Sequence, residues 1–153
     1  MPQSRRFRIL ASLALIGIAA PLLAAPADPV RVRIDGLREL GASFKTVNDG
    51  LRGSEVQTVL IGMAARQIRN AATAQYSWFP AGSGPRPGVK TWAKPEIWTD
   101  PVRFRQAQDA FAAQATAFQR VAAGGNAGAI RAAARSLGGT CKGCHDQFRV
   151  PKE

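Results

Sequence analysis

Apolar residues recur along this chain at steps of three and four, the period of one face of an α-helix, in four separate stretches. The first runs from Asp28 to Arg52 through Val30, Ile34, Leu37, Leu40, Phe44, Val47 and Leu51. Asp28 suits its N-cap and Pro29 its first turn, while Gly50 and Gly53 are placed to end it. In the second stretch Ser54 and Gln57 read as a capping box, Val56, Leu60, Ala64, Ile68 and Ala71 face inward, and the helix ends near Gln75. Thr99-Asp100-Pro101 starts the third by cap and first-turn chemistry. Its seam is Phe104, Ala107 or Gln108, Phe111, Ala115, Phe118 and Ala122, and Gly124-Gly125 stops it. The fourth carries Ile130, Ala134, Leu137, Cys141, Cys144 and Phe148, so both cysteines fall on its apolar face.

Between the second and third stretches, from Ser77 to Trp98, the period is lost among Pro80, Pro85, Pro87 and Pro95. Trp78, Trp92 and Trp98 argue against a solvated linker, because rings of that size gain most by docking on the helices. Four amphipathic helices with short first and third connections predict an all-α, antiparallel four-helix bundle. The long second connection either crosses over or runs along the bundle end. No strand alternation or internal repeat competes with this reading.

Ahead of the first helix, Arg5, Arg6 and Arg8 precede an apolar run from Ile9 to Ala20 and the small residues Ala24-Ala25-Pro26-Ala27. That order reads as a secretory signal peptide over residues 1–25, cut after 25 or 27, and the run is short for a membrane span, with an uncleaved anchor as the alternative. Residues 28–153 then form one domain, expected in the periplasm. The formal net charge of +11 falls to about +8 once the leader takes its three arginines. Such a charge favours acidic partners or anionic membrane surfaces. Spread over several helices with no dense basic run, it does not read as a nucleic-acid interface.

The most specific chemistry lies near the end, in Cys141-Lys142-Gly143-Cys144-His145, the C-x-x-C-H attachment signature of a c-type haem. Two thiols one helical turn apart can form thioether bonds to both vinyl groups of one haem. His145, the one histidine of the chain, then supplies an axial ligand to the iron. A zinc shell would need about four N or S ligands, and a thioredoxin-type pair would follow a strand in a βαβ unit. A structural disulfide would leave the adjacent histidine unexplained. The expected cofactor is one haem c, covalent through Cys141 and Cys144.

In these residues the chain resembles the cytochrome c′ family, four-helix bundles with a single haem near the C-terminus. The likeness rests on Cys141-Lys142-Gly143-Cys144-His145-Asp146-Gln147-Phe148-Arg149, on Pro95-Glu96-Ile97-Trp98, and on the Arg-x-x-x-Leu pattern from Arg33 to Leu37. The connection around Pro85 to Lys90 is longer than is usual in the family. The resemblance implies that the residue four places after the arginine decides the iron's coordination, since Met-ligated relatives carry their sixth ligand there. Leu37 has no lone pair to offer, so a five-coordinate iron is expected behind a leucine lid. Met63, the remaining methionine besides the initiator, is expected in the core beside Leu60.

Arg33, Leu37, Leu40 and Phe44 are the expected haem contacts on the first helix. Leu37, Leu40, Gly41 and Phe44 offer no hydrogen-bond donor side chain, which disfavours dioxygen and leaves room for nitric oxide and carbon monoxide. Arg149, four residues after His145, is expected on the proximal side of the haem or bonded to terminal carbonyls of its own helix. Tyr76, Phe79 and Phe118 either wall the haem or pack the core. Lys142 and Asp146 read as solvated surface.

The resemblance implies reversible gas binding and no enzymatic turnover, since no second histidine remains to serve as a distal acid or base. The alternative is a single-electron carrier that meets a redox partner with an acidic surface, a role better served by six-coordinate iron. Members of the family often pair through their first two helices, which leaves a homodimer open.

Overall fold

The computed structural model describes residues 27–151, so the signal-peptide expectation lies outside the described residues. The chain forms α1 (Pro29–Arg52), α2 (Thr58–Ala74), α3 (Glu96–Thr99), α4 (Pro101–Ala123) and α5 (Ala127–Phe148). A 3-10 turn over Gln75–Ser77 follows α2. Three of the four long helices start on a side-chain cap that accepts a bond from a first-turn N–H. Asp28 takes it from Val30 (3.0 Å), Asp100 from Arg103 (3.2 Å) and Asn126 from Ala129 (2.9 Å).

The start of α2 departs from the sequence expectation. No capping box forms there: Gln57 sits at the N-cap with no side-chain bond. The turn is held by its own backbone instead, with Gln57 N donating to Gly50 O at 3.1 Å and Thr58 N to Val56 O at 2.9 Å. Gly50 does not end α1, which continues to Arg52. It is small because α2 crosses there: a Cβ at Gly50 would lie 3.0 Å from Ile61 Cγ1.

The buried face of α2 is also turned by about one residue from the expected one. Ile61, Ala64, Ala65, Ile68 and Ala72 are buried, whereas Leu60 is 47% and Met63 49% exposed. Met63 is therefore not a core residue. Small alanines on the inner face let α2 lie close between α1 and α4, and the bulkier Leu60 and Met63 are left outside.

Each neighbouring pair of long helices runs antiparallel. Short turns impose this on α1 with α2 and on α4 with α5. At the end of α2, the Gln75 and Gln108 side-chain amides each donate to the other's backbone carbonyl at 3.2 Å, which joins the end of α2 to the early part of α4. The fourth pair, α1 with α5, touches over a short stretch only. Arg131 Nη2 donates to Leu51 O at 3.2 Å, and Phe44 packs on Gly138, where a Cβ would meet the ring at 3.3 Å.

The main core joins α1, α2, α4 and α5 through Val47, Ile61, Ile68, Phe111, Phe118 and Leu137 among others. A second cluster of Ile97, Phe104 and Phe148 lies at the bundle end, with Phe79 and Trp98 packed against it. Its rings meet edge to face, Phe79 to Phe104 at 4.8 Å and Phe104 to Phe148 at 5.1 Å between centroids. The long connection runs along this end. Trp78 is buried over Gly36 of α1, where a Cβ would come within 2.5 Å of the indole. Farther along, Lys94 N donates to Phe148 O (3.0 Å) and Val150 N to Trp92 O (2.8 Å), so Ala93 and Arg149 form an antiparallel bridge.

Candidate haem-binding site

The α1–α5 pair opens toward the second cluster. Its two contacts show the register, because seven residues forward along α1, from Phe44 to Leu51, match seven back along α5, from Gly138 to Arg131. Carried the other way, the same register sets Leu37 opposite His145. At that level Leu37 is 41% exposed and His145 is exposed too, so neither side chain is covered by the facing helix. Leu40 and Phe44, half-buried against the main core, form the inner end of this cleft on the α1 side. Gly41 is exposed, with nothing within 4 Å of where a Cβ would stand.

On the α5 side, Cys141 and Cys144 are free thiols, both half-buried. Cys141 packs on the main core and Cys144 on the aromatic cluster, so the pair straddles the junction of the two. Burial raises the pKa of both thiols, and Cys144, with Cys141 beside it as a second cause, is pushed up to about 11. A thiol-disulfide exchange site works the other way, by lowering a thiol's pKa to make thiolate. His145 is held below its usual pKa, by burial first and then by the Arg149 charge, with Asp146 opposing. A neutral imidazole is the form that can bind a metal. Lys142 and Asp146 are exposed and pair with each other.

Arg33 was expected here, but not the way it is held. Its position, three residues after Val30 and four before Leu37, puts it on the apolar seam, and there it is only 1% exposed. Its guanidinium donates to Ser83 Oγ and Ser83 O at 3.0 Å each, to Thr91 Oγ1 at 3.4 Å and to Trp78 O at 3.5 Å. It also lies 5.1 Å from the Phe79 ring centroid and 5.4 Å from that of Trp98. All these partners are neutral, and among the described residues no salt bridge reaches it. A buried cation of this kind costs several kcal/mol to desolvate, so the fold holds a positive charge beside the aromatic cluster at real expense.

Arg149 also differs from its sequence reading. The helix ends at Phe148 and Arg149 is extended (φ −122°, ψ 134°), so it does not continue the face of His145. Its backbone N–H donates to His145 O at 3.0 Å, while its guanidinium lies 5.1 Å from the Trp92 ring centroid. Tyr76 is no wall of the cleft: its hydroxyl donates to Asp109 Oδ1 at 2.6 Å on the surface, under Arg105. Phe118 lies in the main core, and Phe79 joins the cluster that holds Cys144.

The profile of the family described as Cytochrome C' matches residues 28–149. The chain belongs to the cytochrome c′ family. It is 30% identical over 129 residues to a cytochrome c' of Alcaligenes xylosoxydans xylosoxydans, covering 84% of this chain and 98% of that one. Among solved structures it is similar to a cytochrome c' described as having an unusual ligand-controlled dimer dissociation (TM-score 0.76, 25% identity, 83% of this chain and 100% of that one). It is also similar to the nitric oxide complex of a leucine-to-isoleucine variant of cytochrome c prime from Alcaligenes xylosoxidans (TM-score 0.73, 26% identity, 84% and 98% covered).

Cytochromes c′ are haem c proteins, and the cleft fits that group on its own chemistry. One wall offers two protonated thiols one turn apart and a neutral imidazole. The other offers aliphatic side chains, and Arg33 adds a buried cation whose protein partners carry no charge, suited to an anionic substituent such as a propionate. Reading the sequence singled out Cys141, Cys144, His145 and Leu37, which lie on facing stretches of α5 and α1, but gave no sign of the partners of Arg33 and Arg149 in the long connection. An arginine on an apolar seam was the available signal for the first. Nothing local signals the second, because Trp92 and Arg149 meet only through the tertiary path of the connection.

Proposed function

We propose that this protein is a periplasmic haem c protein that binds nitric oxide and carbon monoxide at an open site behind Leu37. Cys141 and Cys144 would hold the haem covalently, and His145 would offer its neutral imidazole to the iron. When bound, the haem supplies an iron centre with affinity for small diatomic gases. The residues of α1 determine what reaches it. Leu37, opposite His145, offers no ligand atom and narrows the approach with a branched aliphatic end, so the sixth position stays free and sterically guarded. Leu40 and Phe44 extend an apolar surface that gives no hydrogen bond to a polar adduct such as bound dioxygen. Arg33 neutralises a haem carboxylate.

The observation that carries this reading is the register that sets Leu37 against His145 across an unclosed cleft. The relative solved with nitric oxide bound supports it. Electron transfer alone is less well served, because a leucine there leaves the iron's coordination free to change with its oxidation state. The relative with a ligand-controlled dimer makes a homodimer reasonable for this chain too.

The test is carbon monoxide titration of the ferrous haem protein and of Leu37→Met. The wild type should bind the gas, and the methionine should occupy the sixth position, giving a low-spin spectrum and weakening gas binding at least tenfold. Equal affinity in the two proteins would show that residue 37 does not face the iron.

A further inference from the structure

The segment 92–94 is tied to the chain just beyond the haem motif by more than packing. Val150 N donates to Trp92 O at 2.8 Å, Lys94 N to Phe148 O at 3.0 Å, and Lys94 Nζ to Asp146 O at 3.3 Å. These bonds fix the backbone of residues 92–94, and Trp92 is 53% exposed. The Arg149 guanidinium, 5.1 Å from the ring centroid, lies at cation–π distance. Arg149 is one hydrogen bond from the carbonyl of His145, and no salt bridge competes for its side chain among the described residues. Asp146, the nearest acidic residue in sequence, is taken by Lys142.

We infer that Trp92 is a positioning residue for the haem iron: by stacking on Arg149 it parks that cation beside His145, and so sets the iron's reduction potential from the proximal side. A fixed positive charge next to the axial ligand disfavours the extra positive charge of ferric iron and so raises the potential. It also draws electron density from the imidazole. An arginine free in solvent would be screened and would do little of this. The inference rests on the reading of Cys141, Cys144 and His145 as the haem site. It does not depend on which gas is bound.

The experiment is a double-mutant cycle on the purified haem protein with Trp92→Leu, Arg149→Gln and the two together, plus Trp92→Phe. Leucine keeps apolar bulk and the backbone bonds of residue 92 but removes the aromatic face, whereas phenylalanine keeps a face. The readouts are the ferric/ferrous midpoint potential and the iron–histidine stretching band of the ferrous protein. Trp92→Leu and Arg149→Gln should each lower the potential and raise the stretching frequency. The double variant should go no further than Arg149→Gln alone, and Trp92→Phe should stay near wild type. Additive shifts, an unshifted Trp92→Leu beside a shifted Arg149→Gln, or a Trp92→Phe that behaves like Trp92→Leu would overturn the inference. Loss of the haem from the wild type on denaturation would instead overturn the covalent-site reading beneath it.

Discussion

Cys144 shows how far a single side chain's surroundings determine its chemistry. With its pKa pushed up to about 11 by burial, the thiol carries little thiolate at neutral pH. Haem-free protein should therefore be alkylated slowly at Cys144 at pH 8, with the rate climbing toward pH 11, and unfolding it should raise the pH 8 rate roughly tenfold or more. A rate at pH 8 that does not change on unfolding would show that the thiol is not shielded. The linkage has a definite sign. The folded-state pKa lies above the unfolded value of 9.0, so this group's contribution to haem-free stability is intact below about pH 9 and is lost as pH rises through about 11. Leu37 stood out in the sequence because it takes the place where Met-ligated relatives carry a methionine. Over-packing costs about 1–3 kcal/mol, so Leu37→Ala, by opening the guarded face, should tighten carbon monoxide binding by roughly ten- to a hundredfold, read from the ratio of association and dissociation rates.

At the level of helices, the periodic pattern was enough to find all four long elements, because three of them begin on a side-chain cap and α2, which has none, still repeats its apolar residues at the helical period. It could not fix the face of α2. Leu60 with Ala64, and Ile61 with Ala65, both satisfy a helical period, and the choice between them depends on how closely α1 and α4 approach. The side-chain caps should each contribute about 1 kcal/mol, so Asp100→Ala and Asn126→Ala should each lower the denaturant midpoint without altering the haem spectrum. A larger loss, or a spectral change, would mean that these ends do more than cap. Gly36 is a stricter test of the packed end. With the Trp78 indole 2.5 Å from where a Cβ would stand, Gly36→Ala forces the ring or the helix to move and should cost about 1–3 kcal/mol in thermal or chemical unfolding.

Among the described residues three of the helix pairs pack along their length, and the fourth, α1 with α5, meets only over a short stretch. That difference was not legible from amphipathic faces, which indicate only that a helix has an inner side. It follows from tertiary facts: Phe44 on Gly138 and Arg131 on Leu51 join α1 to α5 at one end, and the docked connection with its buried Arg33 occupies the other. The connection that the sequence marked as irregular thus supplies Phe79, Ile97 and Trp98 of the second cluster and the partners of two arginines at the site. The account's central claim is that the iron between Leu37 and His145 has one protein ligand and a free position. The direct measurement is the optical spectrum of the purified haem protein, ferric and ferrous, before and after nitric oxide is added. A high-spin spectrum that shifts on adding the gas is the predicted result; a low-spin spectrum unmoved by nitric oxide would mean that another side chain ligates the iron, and would contradict the account.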